Sequence, residues 1–301
     1  MTRRSRAPDG FLILNKPSGI TSFEALSAIK RAFNTSRVGH AGTLDRFASG
    51  VLVVLVGRYS RLSEFFTASR KTYRAGIRFG SETDTLDPEG NVTAEAAAPS
   101  IDALRGTLSS FLGDILQAPP AYSAVHIDGK RAYERALEGE KVEPAPRPVR
   151  IDALDLLSYE EGLASVRVVC SKGTYIRSLA RDLALACGSR AHLETLVREV
   201  SGPFRVEDGF DSASVEERLL RTIDPRLSAD LGLEPLYLSG GQESYFLRGA
   251  PLSKGRFTSF PEKDGLFAVF STDERFWGVV EKKDGWFSYK VVLGSVEDAR
   301  P

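Results

Sequence analysis

Residues 39–56 read Gly39-His-Ala-Gly-Thr-Leu-Asp45-Arg-Phe-Ala-Ser-Gly50-Val-Leu-Val-Val-Leu-Val56. The second part, Val51 to Val56, is an unbroken aliphatic run, which predicts a strand buried on both faces. The first part places three glycines and one carboxylate in twelve residues. Glycines allow a backbone to come close to a ligand. A lone carboxylate on a loop that leads into a buried strand is a candidate nucleophile or base. The same twelve residues also fit an ordinary loop in which Asp45 serves as a capping residue.

Towards the N-terminus, Phe11 to Leu14 predicts a short strand and Pro17-Ser18-Gly19 a turn. Thr21-x-x-Glu24 is a capping box that opens a helix carrying Phe23, Leu26, Ile29 and Phe33. Asn34 to Gly50 reads as a polar, Gly-rich loop. Beyond Val56, Gly57 ends the strand, a helix passes through Leu62 and Phe65, and 72–79 alternates as a strand. Ser100 caps a helix bearing Ile101, Leu104, Leu108 and Leu112. Pro119-Pro120 breaks the chain before a strand from Tyr122 to Ile127, closed by Asp128-Gly129. A helix over 131–138, a connector with Pro144, Pro146 and Pro148, two strands joined at Glu161-Gly162, and a helix over 174–187 follow. That last helix buries Ile176, Leu179, Leu183 and Cys187, with Arg177 and Arg181 on another face. From about residue 236 short aromatic-rich strands recur at Tyr245-Phe246, Phe257, Phe267 to Phe270, Phe276 to Val280 and Trp286 to Val292, with a hairpin turn at Asp284-Gly285. The expected architecture is a larger mixed α/β unit over 1–235 with a small all-β unit over 236–301 appended.

A chain of 301 residues with 42% apolar side chains supports about two domains and excludes disorder as the whole answer. The net charge is zero, which excludes a histone-like basic protein, but the charge is unevenly placed. Residues 1–80 carry 14 basic and 4 acidic groups, and residues 206–301 carry 12 and 17. A phosphate-rich partner at the N-terminal quarter and a solvated surface both fit this distribution. Cys170 and Cys187 form no C-x-x-C, and His40, His126 and His192 form no His-x-x-x-His pair, so a protein-held metal is not expected. The apolar stretch after the basic start is too short for a signal peptide, and no run is long enough to span a bilayer. The expected setting is the cytoplasm.

The loop around Asp45 resembles the catalytic loop of the TruB family of bacterial tRNA pseudouridine synthases, in which a Gly-Thr-Leu-Asp segment carries the nucleophilic aspartate. Further motifs match that family in order: Lys16-Pro17-x-Gly19-x-Thr21-Ser22, Lys71-x-Tyr73-x-Ala75 with Phe79-Gly80, and Thr83-Asp-Thr-x-Asp87-x-x-Gly90. Gln117-x-Pro119-Pro120-x-Tyr122-Ser123-Ala124-Val125, Gly129-Lys130-Arg131-Ala132-Tyr133, Ser171-Lys-Gly-Thr-Tyr175-Ile-Arg177 through Asp182-Leu, and Ser201-Gly202-x-Phe204 continue the match. Together they cover about 11–205.

The resemblance implies an α+β pseudouridine-synthase fold, with a mixed, largely antiparallel central sheet flanked by helices and a small C-terminal all-β PUA-like domain. It implies Asp45 as the nucleophile and Arg177 as its ion-pair partner. Tyr73 stacks on the target uracil, Tyr175 and Arg177 line the pocket, Leu196 closes its apolar side, and His40 fills the space of the flipped nucleotide. The implied partner is tRNA, bound at its T arm, with isomerisation at position 55 by a cofactor-free monomer without an obligatory protein partner. A tRNA-folding role independent of catalysis is also implied.

The chemistry suits these residue types. Pseudouridine formation breaks N1–C1′, turns the base and joins C5 to C1′, so neither a redox group nor a metal is required. A carboxylate can trap C1′ or C6, or help to remove a sugar proton. A buried aspartate needs a cation to stay charged, and arginine is always protonated. Arg58, Arg61, Arg70, Lys71, Arg74 and Arg78, with Arg3, Arg4 and Arg6, are candidates to track the tRNA backbone, whereas Lys16 and Lys130 read as structural or phosphate-contacting.

Three positions depart from the family. Arg46 stands where a proline usually follows the nucleophile, which predicts a less rigid loop. His126 replaces a common lysine. Glu199, after Arg198, puts negative charge near RNA-binding ground. Three other functions remain to be weighed. A non-catalytic RNA chaperone on this scaffold calls for a lost Asp45 or Arg177, and both are present. A hydrolase using Asp45 lacks a paired acid or metal cluster. A synthase for another RNA site is the nearest competitor, and the Tyr122 and Gly129 motifs favour the T arm.

Overall fold

The computed structural model describes residues 8–299 apart from 124, 128, 141, 143, 212 and 213. Arg3, Arg4 and Arg6 lie outside the described residues, as does Asp128 of the expected turn. In chain order, β1 (Gly10–Lys16) leads to α1 (Ser22–Ala32), β2 (Val38–Ala41) and β3 (Ser49–Val56). A 3-10 turn over Gly57–Leu62 and α2 (Ser63–Thr67) precede β4 (Lys71–Phe79). The hairpin of β5 (Ser81–Thr83) and β6 (Val92–Glu95), then α3 (Ile101–Leu108) and β7 (Gly113–Gln117), follow. The strands β8 (His126–Ile127) and β9 (Lys130–Arg131) and α4 (Ala132–Leu137) form an excursion before β10 (Arg147–Glu160) and β11 (Leu163–Cys170). Next come α5 (Ile176–Ala186), β12 (Ala191–Ser201) and β13 (Phe204–Arg205). The C-terminal part contains α6 (Pro225–Asp230), β14 (Glu234–Tyr237), α7 (Glu243–Leu247), β15 (Gly265–Phe270), β16 (Phe276–Lys283) and β17 (Trp286–Val292).

The large sheet runs β1-β3-β12-β4-β11-β10-β7, with β2 and β13 attached to β3 and β12. Its pairings are antiparallel except that β12 meets β3 in parallel. The second sheet runs β14-β15-β16-β17, with only β14 and β15 parallel. The expected α+β class, with its mixed and largely antiparallel sheet, is the observed one.

The run 51–56 is buried on both faces because two different layers cover it. On one side Leu52, Val54 and Val56 join Ala75, Ile77, Val166 and Val168 under α1, α3 and α5. On the other, Val51, Val53 and Leu55 pack with Phe11, Phe65, Phe66 and Phe204, and with Ala268, Phe270, Phe276 and Val279 of the C-terminal sheet. Burying each such side chain contributes roughly 1.5–3 kcal/mol, so the C-terminal sheet is fastened through the same strand that follows the Asp45 loop. Arg58 adds a polar fastening, with its guanidinium 2.6 Å from Asp9 and 2.9 Å from Asp298.

Local signals held where the chain itself supplies the partners. Thr21 caps α1, with Glu24 N–H donating to the Thr21 hydroxyl at 3.1 Å and Thr21 N–H donating back to Glu24 at 2.7 Å. Ser100 caps α3. The Asp284-Gly285 turn has positive φ at both residues, 50° and 83°, as a tight hairpin turn requires.

Four expectations are corrected. The stretch 34–50 contains β2, a four-residue strand too short for a readable pattern, paired antiparallel with β3. The strand expected over 122–127 shrinks to His126–Ile127. Tyr245-Phe246 lies in α7, where only Phe246 is buried, so two adjacent aromatics signal a helical corner and not a strand. The helix bearing Leu108 stops there, and Leu112 is exposed beyond it.

Gly50 marks a close approach. Its φ is 105°, and a Cβ there would lie 2.3 Å from the Arg198 carbonyl oxygen. Gly50→Ala is expected to lower stability by roughly 2–4 kcal/mol, from strain plus displacement of β12. Urea unfolding measures it, and an unchanged midpoint would contradict the packing described.

Candidate active site

The loop after β2 is held by its carbonyls. Gly42 and Thr43 accept from the Arg198 guanidinium at 3.0 and 3.3 Å. Leu44 exchanges two bonds with the Ser22 hydroxyl, donating its N–H at 2.9 Å and accepting at 3.0 Å. The Asp45 carbonyl accepts from Ala48 N–H at 3.2 Å, and the Arg46 carbonyl from Gly19 N–H at 2.9 Å. Phe47 accepts from the Ser18 hydroxyl at 2.7 Å. Every carbonyl from 42 to 47 is thus taken, and the side chain of Asp45 is left to face Arg177. The Arg46 departure does not loosen this loop: its Nε donates to the Gly19 carbonyl at 3.0 Å, opposite the Gly19 N–H bond.

Arg177 sits in the first turn of α5. Arg181 follows it one turn later, yet Arg177 is buried along with Ile176, Leu179 and Leu183, which corrects the expectation that the two arginines stand apart from the buried face. The Arg177 Nη2 donates to Asp45 Oδ1 at 3.2 Å, and its Nε lies 3.0 Å from Oδ2 in ion-pair contact without hydrogen-bond geometry. Nη1 donates to the Thr85 carbonyl at 2.8 Å and lies 3.3 Å from Asp87, while Nη2 also donates to the Tyr122 carbonyl at 3.0 Å. The Asp87 carboxylate is itself fixed by the Thr85 hydroxyl at 2.6 Å and Glu89 N–H at 3.1 Å. The Arg177 side chain is 6% exposed and that of Asp45 35%. The carboxylate is therefore reachable from outside while its cation is not. Burial pushes the Asp45 carboxyl above the ordinary range; Arg177 pulls it back, Asp87 raises it further, and Lys16 lowers it.

The tyrosines flank this pair. Tyr73, in β4, lies on the face of the sheet that packs against the core under α1 and α5. Tyr175 caps the N-terminus of α5, and its N–H donates to the Gln117 side chain at 2.8 Å. Burial raises both phenols, and the Asp45 charge adds to both shifts. Leu196 is buried on the same sheet face, paired across to Ala75. His40 lies in β2, opposite Val54, with burial and then the nearby Arg198 lowering its pKa. Asp45 and Arg177 are in direct contact, Tyr73 and Tyr175 share the field of the carboxylate, His40 lies in the field of Arg198, and Leu196 joins the core cluster against which Tyr73 packs.

The basic residues proposed for RNA tracking fare differently. Strand alternation puts Arg74 and Arg78 on the face of β4 opposite Tyr73, where they pair with Glu199 at 2.8 Å and Glu194 at 2.6 Å. Arg167 also meets Glu199, at 3.2 Å, so the Glu199 departure is neutralised by two arginines. Arg70 pairs with Asp152, Arg58 with Asp9 and Asp298, and Arg61 donates to the Val292 carbonyl. Lys71 is buried on the Thr67 and Ser69 carbonyls. Lys16 is structural: buried, lowered to about 8 mainly by burial, and donating to the Pro17 and Ile20 carbonyls at 2.8 and 2.7 Å.

Two residues of the site carried no assignment in the sequence reading. Asp87 lies within a quoted motif, but only the fold brings it to Arg177. Arg198 was noted as a neighbour of Glu199; the signal available was a charged residue on the same parity as Leu196, an inward position.

The TruB family pseudouridylate synthase (N terminal domain) description matches residues 30–176. The chain is 51% identical over 203 residues to tRNA pseudouridine synthase B of Borreliella burgdorferi strain ZS7, covering 66% of this chain and 72% of that protein. It is 37% identical over 294 residues to tRNA pseudouridine synthase B of Dehalococcoides mccartyi strain CBDB1, covering 95% and 97%. In structure it is similar to a chain of a Cbf5-Nop10-Gar1 complex, with a TM-score of 0.72 at 24% identity, covering 96% of this chain and 86% of that one. The last likeness shows the shared fold.

Asp87→Asn tests the electrostatics. Asn keeps an acceptor for Thr85 and Glu89 but removes a negative charge that raises Asp45. With Asp45 acting as a carboxylate, the acidic limb of the pH–rate profile is expected to move to lower pH. A limb that stays in place or moves up would count against this arrangement.

Proposed function

The chain belongs to the TruB family of pseudouridylate synthases and isomerises uridine to pseudouridine in tRNA; on that premise we propose that its target is position 55 in the T arm and that Asp45 is the reacting carboxylate. The observation that carries the assignment is the hydrogen-bonded ion pair between buried Arg177 and a partly exposed Asp45. Arg177 holds the carboxyl charged and aimed, and the open side of Asp45 is where a flipped nucleotide enters.

Flipping a base costs roughly a few kcal/mol. Stacking on Tyr73 returns about 1–3 kcal/mol, and His40 occupies the space the base leaves. Tyr175 and Leu196 close the pocket around the ring. The reaction is balanced within the nucleotide: the N1–C1′ bond breaks, the base turns, C5 joins C1′, the C5 proton leaves and N1 takes up a proton. Asp45 acts at the sugar or the base while the glycosidic bond is open. The chain's own residues orient, charge and enclose; they need supply no electrons.

In the same proposal the catalytic unit spans 1–235 and a PUA-like unit 236–301, with β14 crossing that line. The protein acts as a monomer in the cytoplasm. No described helix is long and apolar enough to cross a membrane.

Tritium release from tRNA labelled at uridine C5, with mapping of the product, is the test. Asp45→Asn is expected to abolish release while tRNA binding stays within about tenfold, since one carboxylate contributes little to a phosphate-dominated affinity. Full release by that variant sinks the assignment of Asp45, and release from another site moves the target. Tyr73→Ala is expected to lower turnover more than affinity; an unchanged turnover number removes Tyr73 from the pocket.

A further inference from the structure

Arg198 takes no part in the chemistry above, yet it occupies the joint of the site. It lies in β12, where its backbone faces Gly50 of β3 on one side and Tyr73 of β4 on the other. Its side chain is among the largest that are fully buried, at 1% exposed. Nε donates to the Val51 carbonyl at 2.7 Å, Nη2 to Gly42 at 3.0 Å and Nη1 to Thr43 at 3.3 Å. These carbonyls bracket the loop that carries Asp45, so one planar fork clamps both ends of it.

Among the described residues no carboxylate is in ion-pair contact with Arg198. A buried cation without a counter-ion is an expensive way to fill space, and an apolar side chain would serve packing better. Its charge is spread over carbonyl dipoles, and its field reaches Tyr73, His40, Lys16 and Lys71. The geometry needs a fork: an ammonium is a point donor and cannot reach Val51 and Gly42 in the same fixed plane.

We propose that Arg198 is a positioning residue for the isomerisation, setting the distance between Asp45, on the loop that it clamps, and the Tyr73 ring, on the strand that it faces. The proposal rests on the roles given above to Asp45 and Tyr73. Arg198 acts through the loop and does not touch the RNA.

The test compares Arg198→Met, Arg198→Lys and Asp45→Asn with wild type by tritium release at saturating tRNA, tRNA binding and thermal melting. Displacing a catalytic group by about 1 Å costs about 100-fold in rate, so kcat is expected to fall about 100-fold in Arg198→Met and about 10-fold in Arg198→Lys. The Kd for tRNA is expected to stay within about threefold, because the phosphate contacts that dominate affinity lie elsewhere. Wild-type kcat in either Arg198 variant overturns the proposal. So does a loss of kcat matched by an equal loss of tRNA binding, which assigns Arg198 to RNA binding or to general folding. If Arg198→Met does not melt cooperatively, Arg198→Lys decides alone. An active Asp45→Asn removes the underlying reading and this proposal with it; an inactive Asp45→Asn beside fully active Arg198 variants removes only this proposal.

Discussion

The contact between Asp45 and Arg177 joins the loop before β3 to the first turn of α5, two elements 132 residues apart in sequence. A carboxylate that reacts must be partly stripped of water, and stripping water favours its neutral form. A cation in direct contact opposes that, but a buried guanidinium must itself be satisfied. The structure meets the second need with the Thr85 and Tyr122 carbonyls and with Asp87. The hairpin of β5 and β6, the segment after β7 and the start of α5 are all therefore drawn to one point. The order of strands in the large sheet brings them there.

The loop that presents Asp45 is fixed by donors that carry charge or hydroxyls and have little else to do. Lys16, Ser18, Ser22 and Arg198 each bond its backbone. Lys16, Arg177 and Arg198 are buried cations around the loop of Asp45, set against Asp45 and Asp87. This leaves positive potential at a pocket that must receive a polyanion. On the opposite face of β4 and β12 the arginines are matched by Glu194 and Glu199. On these strands Arg198 has no carboxylate in ion-pair contact among the described residues, whereas Arg74 and Arg78 on the other face are paired.

The sequence makes the local parts legible. The capping box at Thr21 and the hairpin of β10 and β11 have partners nearby in the chain, and the strand at 51–56 is aliphatic at every position because both of its faces are covered, so these patterns survive in one dimension. The ordered motifs point to Asp45, Tyr73, Tyr175 and Arg177 and to the reaction. β12 is hidden because its alternation slips twice, between Leu193 and Thr195 and between Arg198 and Val200, and because an inward arginine breaks the apolar pattern. Asp87 and Arg198 acquire meaning only from contacts across 90 and more than 140 residues. In the basic run from Arg58 to Arg78, Arg74 and Arg78 lie on the face of β4 opposite Tyr73, and a count of charge ignores which face is which.

In the proposed reading Asp45 is ionised at neutral pH, with Arg177 opposing the burial that raises its carboxyl. Carbon-13 NMR of protein labelled at aspartate carboxyls reads this directly, with the Asp45 signal identified by its loss in Asp45→Asn. The account predicts an ionised Asp45 in the wild type at pH 7 and a protonated fraction in Arg177→Gln that grows as turnover falls. A protonated Asp45 in the fully active enzyme would contradict it, and so would an Asp45 that stays ionised in Arg177→Gln while turnover collapses.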